Sequence, residues 1–492
     1  MGLTMGPTRS SSSSRGEICL PLQLDFTVHN GIRSQKKKSL PSKKRMEEIL
    51  ATIAIALAAT IFIVLSFSIY LTIRIFTGKS IRNKAYSPVH ATVFDLLFHS
   101  QELYDYQTEL ARKKPTFRFL SPGQSEIFTA DARNVEHILK TRFDNYSKGH
   151  SSRENLADLL GHGIFAVDGD KWRQQRKLAS FEFSTRILRD FSCSVFRTNA
   201  CKLVGFVSEF ALSGKSFDAQ DMLMRYTLES IFKVGFGVEL IKEGEEFMEG
   251  FDEGNVATSL RFIDPLWKLK RFLNIGSQAR LKKSIATIDK FVYRLITTKR
   301  KELGREQNTE KILQEIRDVT SSHERTTDVN GFVQSINEEA LDQMQYLHAA
   351  LSETLRLYPP VPVDMRCAEN DDILADGHRV KRGDNVYYLA YAMGRMTYVW
   401  GQDAEEFKPE RWLKDGGFQP ESPFKFISFH AGPRICLGKD FAYRQMKTVS
   451  MVLLHFFRFK MADEKSNVRY KRMLTLHIEG GLHLHAIPRT ST

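Results

Sequence analysis

The chain has 492 residues, is 42% hydrophobic and carries a formal net charge of +13. That apolar content fills one large domain or two to three ordinary ones and excludes a disordered chain. Residues 1–45 hold nine Lys or Arg against Glu17 and Asp25, leaving a mildly basic body, which excludes a nucleic-acid face of clustered cations and aromatics.

The five cysteines, Cys19, Cys193, Cys201, Cys367 and Cys436, form no CxxC pair. This argues for a reducing compartment and against a disulfide framework or a four-cysteine zinc site.

The first element in chain order is Ile49–Ile73, a run of 25 uncharged residues, enough for a helix to cross roughly 30 Å of hydrocarbon. We take 46–78 as a single transmembrane anchor. Lys36, Lys37, Lys38, Lys43, Lys44 and Arg45 precede it; Arg74, Lys79, Arg82 and Lys84 follow. This bias favours a cytoplasmic N-terminus, and translation from Met46 reverses it. We read 1–45 as a disordered basic extension or an artefact of the assigned start. The body is then cytosolic; the "TRSSSSSR" segment also fits a plastid transit peptide as a minor alternative. Residues 79–114, with Ser87-Pro88, read as hinge and linker, and 115–492 as the main domain.

In that domain "FRFLSPGQSEIFTAD" predicts a hairpin turning at Ser121-Pro122-Gly123, with Asp131 capping a helix over "ARNVEHILK". From about 170 to 300 the pattern is mainly helical. At the C-terminus "LTLHIEGGLHLHAI" predicts a second hairpin pairing Ile478 with Leu482 and Leu476 with Leu484. His477, His483 and His485 would then share its wetter face. The fold class is mainly α with small β-sheets.

The most informative stretch is "FKFISFHAGPRICLGKDFAYRQMKTVSMVLLHFF". Cys436 follows a turn through Gly432 and Pro433 and precedes a helix whose apolar stripe is Leu437, Phe441, Ala442, Met446, Val449, Val452, Leu453 and Phe456. A helix N-terminus stabilises thiolate over thiol, and Gly438 lets a large planar group approach. Such a sulfur is a nucleophile, a redox sensor or a metal ligand.

"FHAGPRICLG" fits F-x-x-G-x-R-x-C-x-G and resembles the haem loop of the cytochrome P-450 haem-thiolate monooxygenases. The resemblance implies that Cys436 ligates the iron of haem b, iron protoporphyrin IX. It also implies that Phe429 packs near the sulfur and that Arg434 pairs with a haem propionate. Glu353 and Arg356 in "ETLR", one helical turn apart, would lock with Arg411 of "FKPERW". Trp172 and Arg176 of "DGDKWRQQRK", and Arg366 of "VDMRCAE", resemble further propionate partners. Lys425, Lys439, Arg444 and Lys447 would suit docking of an acidic flavoprotein donor, an NADPH-dependent reductase. "GHGIFAVDGDKWRQQRKLASFEFS" resembles plant enzymes that hydroxylate fatty acids near the terminal carbon, and the long stretches resemble plant family 704. The implied membrane is the endoplasmic reticulum.

One expected feature is absent from the sequence. The family carries a long central helix with [AG]-G-x-[DE]-T-[TS], whose acid and Thr deliver protons to bound oxygen. The only Ala-Gly pair here is Ala431-Gly432. In "KRKELGREQNTEKILQEIRDV", residues 299–319, the aliphatic side chains before Val319 are Leu303, Ile312, Leu313 and Ile316. A domain-crossing helix needs roughly 20 to 30 residues. The text reads as if a segment had been excised near 304–310, as in a splice product or incomplete gene model. We therefore expect a P-450 fold without its central helix, and no oxygen-activating Thr. The alternative function is a catalytically impaired product that at most binds haem.

Overall fold

A computed structural model of the protein describes residues 43–76, 83–121, 124–184, 186–238, 243–303, 329–463 and 468–489. Most of the 1–45 extension, and the stretch 304–328 where the expected excision falls, lie outside the described residues.

The apolar run forms one helix, Lys43–Phe76. Thirty of its residues, Lys44–Ile73, make a segment long and apolar enough to cross a membrane. The described helix already includes Lys43, Lys44 and Arg45 ahead of Met46, residues that helical geometry accepts readily.

The stretch 83–114 is not a linker. It carries strand Val89–Thr92, helix Val93–Phe98 and helix Leu103–Lys113. Leu103, Tyr104, Leu110 and Ala111 of the last helix are buried in the main core at helical spacing. Four polar or charged residues between those positions mask the periodicity in the sequence.

That core lies on a six-stranded sheet. Its order across the sheet is Val89–Thr92, Thr116–Ser121, Gln124–Thr129, Asn385–Tyr388, Asp364–Ala368 and Tyr146–Ser147. The predicted hairpin forms in register from Thr116 opposite Thr129 to Ser121 opposite Gln124. Phe117, Phe119 and Phe128 stack inward, Phe128 against Tyr387 at 4.6 Å between centroids. Asp131 caps the next helix by accepting from Arg133 N–H at 2.9 Å.

A second core surrounds helix Arg186–Ser213. Ala200, Val204 and Val207 meet Met222 and Tyr226 of helix Ala219–Phe236, and Val449, Val452 and Leu453 of helix Lys439–Phe456. Among the described residues from 169 to 303, helices dominate as expected.

The predicted C-terminal hairpin does not form. His477–Ile478 pairs with Tyr470–Lys471, whereas His483–Pro488 pairs over five residues with Phe457–Met461 and, at its start, with Phe217–Asp218. A five-pair ladder backed by the second core outcompetes a two-stranded ribbon, which is marginal in water. Gly480 and Gly481, both at positive φ, turn the chain between the two pairings. The three histidines therefore do not share a hairpin face.

Asp218 closes this junction. Its carboxylate caps helix Ala219–Phe236 through Gln220 N–H at 2.9 Å and also accepts Leu482 N–H at 2.9 Å. Asp218→Ala removes a cap and strands the Leu482 donor, so it should cost about 2 kcal/mol. The denaturant midpoint of the variant measures this loss.

Candidate functional site

Helix Lys439–Phe456 starts at an N-cap Gly438, two residues after Cys436. The loop ahead of it is closed by Cys436 N–H donating to the Phe429 carbonyl at 2.8 Å. Gly432 sits at φ +65°, and a Cβ there would run into the Leu139 carbonyl. Only glycine meets both demands. At Gly438 a Cβ would stand 3.6 Å from the Phe183 ring and 4.0 Å from the Cys436 sulfur. The helix backbone at Gly438 thus runs close beside the sulfur, with no side chain of its own there. Cys436 is a free thiol on an exposed residue.

Two contacts tie this loop to helix Gln345–Leu357. Ser428 Oγ donates to the Leu355 carbonyl at 2.7 Å, and the hydroxyls of Ser352 and Tyr443 lie 2.9 Å apart. Phe429 packs on Tyr443, with centroids 5.2 Å apart. The buried face of the cysteine helix is rotated from the predicted stripe. Tyr443, Gln445, Lys447 and Thr448 are buried with Val449, Val452 and Leu453, whereas Phe441 and Met446 are half-buried.

This rotation corrects the basic docking set. Lys447 is buried and donates to the Leu341 carbonyl at 2.7 Å, since its stem fills the helix interface. Arg444 pairs with Glu338 at 3.2 Å, and Lys425 with Glu421 at 2.7 Å. Lys447 therefore cannot belong to a docking face.

Beside the loop lies a buried charge cluster. Arg366, in strand Asp364–Ala368, donates through Nη1 to Asp364 at 3.2 Å and to the Met365 carbonyl at 2.6 Å. Its Nη2 stands 2.8 Å from His430 Nε2. Lys148 reaches both Asp364 oxygens at 3.2 Å. Arg434 donates to Asp168 at 2.7 Å and to the Val167 carbonyl at 3.0 Å, and its guanidinium lies 4.4 Å from the Trp172 ring centre.

Burial opposes ionisation of Asp364, yet Lys148, Arg366 and His430 hold its carboxyl well below the ordinary value. Burial, then repulsion from Arg366, pulls Lys148 down to about 8, with Asp364 opposing. The same two causes bring Arg434 down to about 10. Arg176 is half-buried; burial lowers its pKa, and the nearby Cys436 acts in the opposite sense.

The structure thus gathers Trp172, Arg366 and Arg434 into one cluster and places Arg176 near Cys436. Lys148, Asp168, Asp364, Tyr388 and His430 were not singled out from sequence. Asp364 had a signal: in a strand, residues two apart share a face, which puts it beside Arg366.

The cluster sets three cations, Lys148, Arg366 and Arg434, against two carboxylates, Asp168 and Asp364. The buried Nε–H of Arg366 has no hydrogen-bond partner among the described residues. A positive surplus, an unpaired buried donor and an exposed cysteine sulfur beside a glycine fit a sulfur-ligated planar group carrying carboxylates.

On the other side of helix Gln345–Leu357, the predicted lock is complete. Arg356 clamps Glu353 at 2.7 and 2.8 Å, and Arg411 reaches Glu353 at 3.3 Å. Trp412 Nε1–H and Lys408 N–H, missed in the sequence, each add a bond at 2.9 Å. Arg356 also donates to the carbonyls of Gly394, Ala404 and Glu406.

A mainly helical domain with a cysteine loop and this lock defines a class, and comparison with known proteins supplies the family. The family model described as Cytochrome P450 matches residues 87–328 and 309–485. The chain belongs to the cytochrome P450 family. These are haem-thiolate monooxygenases, fed by a redox partner that typically passes on electrons from NADPH through a reductase.

Among its relatives, cytochrome P450 704C1 of Pinus taeda is 43% identical over 483 positions, covering 83% of this chain and 93% of its own length. Cytochrome P450 704B1 of Arabidopsis thaliana is 38% identical over 486 positions, covering 80% and 93%. Cytochrome P450 86B1 of Arabidopsis thaliana is 35% identical over 461, covering 79% and 82%. Since 83% of 492 residues is about 408, the 483 positions aligned with the pine protein include about 75 without a counterpart here.

Removing one side of a buried ion pair costs about 3–5 kcal/mol, whereas a surface pair is worth about 1 kcal/mol or less. Glu353→Ala should therefore lower the denaturant midpoint by the larger amount, and Glu421→Ala, at the more exposed Lys425 pair, by the smaller. Burial raises the Glu353 pKa, but Arg356, Trp412 and the Lys408 amide outweigh it and hold the carboxyl below its ordinary value. Its contribution is full above the unfolded carboxyl pKa of about 4.3 and is lost as pH falls through the lower folded value. The wild-type midpoint should fall more steeply on acidification than that of Glu353→Ala, and the difference between the two curves checks this.

Proposed function

We propose that this chain hydroxylates a fatty-acid-like substrate near its terminal carbon. It uses O2 and electrons from an NADPH-dependent flavoprotein reductase. We place it in the endoplasmic reticulum membrane, held by helix Lys43–Phe76 with the haem domain in the cytosol. The cysteine loop carries the catalytic half of this reading. The substrate half rests on the likeness of residues 161–184 to plant fatty-acid hydroxylases, supported by relatedness to the 704 group.

In this reading Cys436 ligates the haem iron, where the reductive activation of O2 takes place. Gly438 would let the ring come close to the helix backbone beside the sulfur. Arg366, Arg434, Trp172 and Arg176 hold the carboxylate edge, and Phe429 fixes the loop against Tyr443. The Glu353, Arg356 and Arg411 lock keeps helix Gln345–Leu357, and through Ser428 the loop, in register.

A second reading, a catalytically impaired chain that at most binds haem, draws support from particular observations. About 75 positions of the pine relative have no counterpart here. The family model matches in two stretches that meet over 309–328. The sequence from Gly304 to Thr309 has no apolar residue able to continue a buried helix. We infer that the central oxygen-side helix is missing near 304–310, together with its proton-delivering Thr.

With reductase and NADPH, the full chain carrying a lauric- or oleic-type acid should give a terminally hydroxylated product. Its yield per NADPH should rise at least tenfold when an apolar helix bearing the acid-Thr pair is inserted between Gly304 and Glu310. An unchanged yield would discard the missing-helix reading. Product from neither protein would discard the substrate reading. Cys436→Ser should abolish the red-shifted Soret band of the reduced carbon monoxide complex, the signature of thiolate ligation. A band that survives removes Cys436 as the ligand.

A further inference from the structure

His430 sits between Phe429 and Gly432 of the cysteine loop, with its backbone at φ +61°. A non-glycine residue pays for that conformation with steric strain, so the direction its side chain gains there matters. The ring turns inward, with only 19% of the side chain exposed. Nε2 meets Arg366 Nη2 at 2.8 Å and the Tyr388 hydroxyl at 2.9 Å.

An arginine only donates, so His430 Nε2 must accept, and the ring is neutral with any proton on Nδ1. Nδ1 lies 2.8 Å from both the Ala431 carbonyl and the Ala431 N–H; with Nε2 accepting from Arg366, the carbonyl is the partner that takes the Nδ1 proton. Tyr388 gives its single proton to Asp364 Oδ2 at 2.6 Å, so its oxygen stands 2.9 Å from Nε2 without bonding it while Nε2 accepts from Arg366. Lys148, on both Asp364 oxygens, keeps that carboxylate in place. With Nη1 held by Asp364 and Met365 and Nη2 held by His430, the guanidinium cannot rotate. Its Nε–H is then the buried donor without a partner.

We propose that His430 is a positioning residue, whose neutral Nε2 fixes the Arg366 guanidinium so that Nε–H remains free for a carboxylate of bound haem. This rests on reading the cluster as the haem edge. Protonated His430 would point an N–H at Arg366 and release it. Burial lowers the His430 pKa and repulsion from Arg366 adds to it, while the Asp364 carboxylate, 3.6 Å from Nε2, raises it. The other groups facing the ring are displaced from this range: Asp364 is held well below its ordinary value, Tyr388 well above, and Lys148 stands at about 8.

The test loads the full chain with haem and follows transfer to excess apomyoglobin. His430→Phe keeps the ring volume without the acceptor and should release haem about tenfold faster, a change of about 1.4 kcal/mol. His430→Gln, with an amide oxygen as acceptor, should stay within about threefold of wild type. Lowering the pH below the ordinary histidine range should speed release from wild type and leave His430→Gln flat. The propionate bands in resonance Raman spectra should shift in His430→Phe alone. Wild-type rates in His430→Phe, or equal losses in both variants, overturn the proposal. A wild-type chain that takes up no thiolate-ligated haem overturns the haem-site reading itself, a separate result.

Discussion

One carboxylate holds together most of what the site needs. Glu353 is wholly buried, and it accepts from Arg356, Arg411, Trp412 and the Lys408 amide. A charge in that position is tolerable only because every lone pair is used. The arrangement pins helix Gln345–Leu357 to the chain from Gly394 to Trp412, and the same helix carries Ser352 and Leu355, which hold Tyr443 and Ser428. The geometry of the cysteine loop is thus set from behind by an ion pair that touches no substrate.

The charge cluster on the other side follows a different logic. The lock is satisfied internally, whereas Lys148, Arg366 and Arg434 outnumber Asp168 and Asp364, and one buried Arg366 donor has no partner. Closed networks stabilise a fold, and open ones hold a ligand. Both kinds lie within reach of one loop, an arrangement that suits a fold organised around a large bound group.

Local spacing made much of this legible in the sequence. The cysteine loop, the one-turn spacing of Glu353 and Arg356, the first hairpin and the Asp131 cap are encoded within a few residues of themselves, and they form as expected. Contacts between distant segments were not legible. Lys148 meets Asp364 across 216 residues, and no periodicity points from one to the other. Lys447 looked solvent-facing because a stripe of apolar residues fixes a helix face only to within part of a turn. The C-terminal histidines were misread because a strand's partner depends on which edge is free, a property of the assembled sheet.

The Asp218 junction bears on the order in which the domain is completed. Its carboxylate and the strand beside it are satisfied by Leu482 to Leu484, 264 residues later in the chain. A nascent polypeptide emerging from the ribosome therefore carries helix Ala219–Phe236 with one edge unmatched until Leu482 to Leu484 have been made. At about 5–20 residues per second that wait lasts on the order of ten seconds or more. Chaperone occupancy during translation should accordingly concentrate on this half of the molecule.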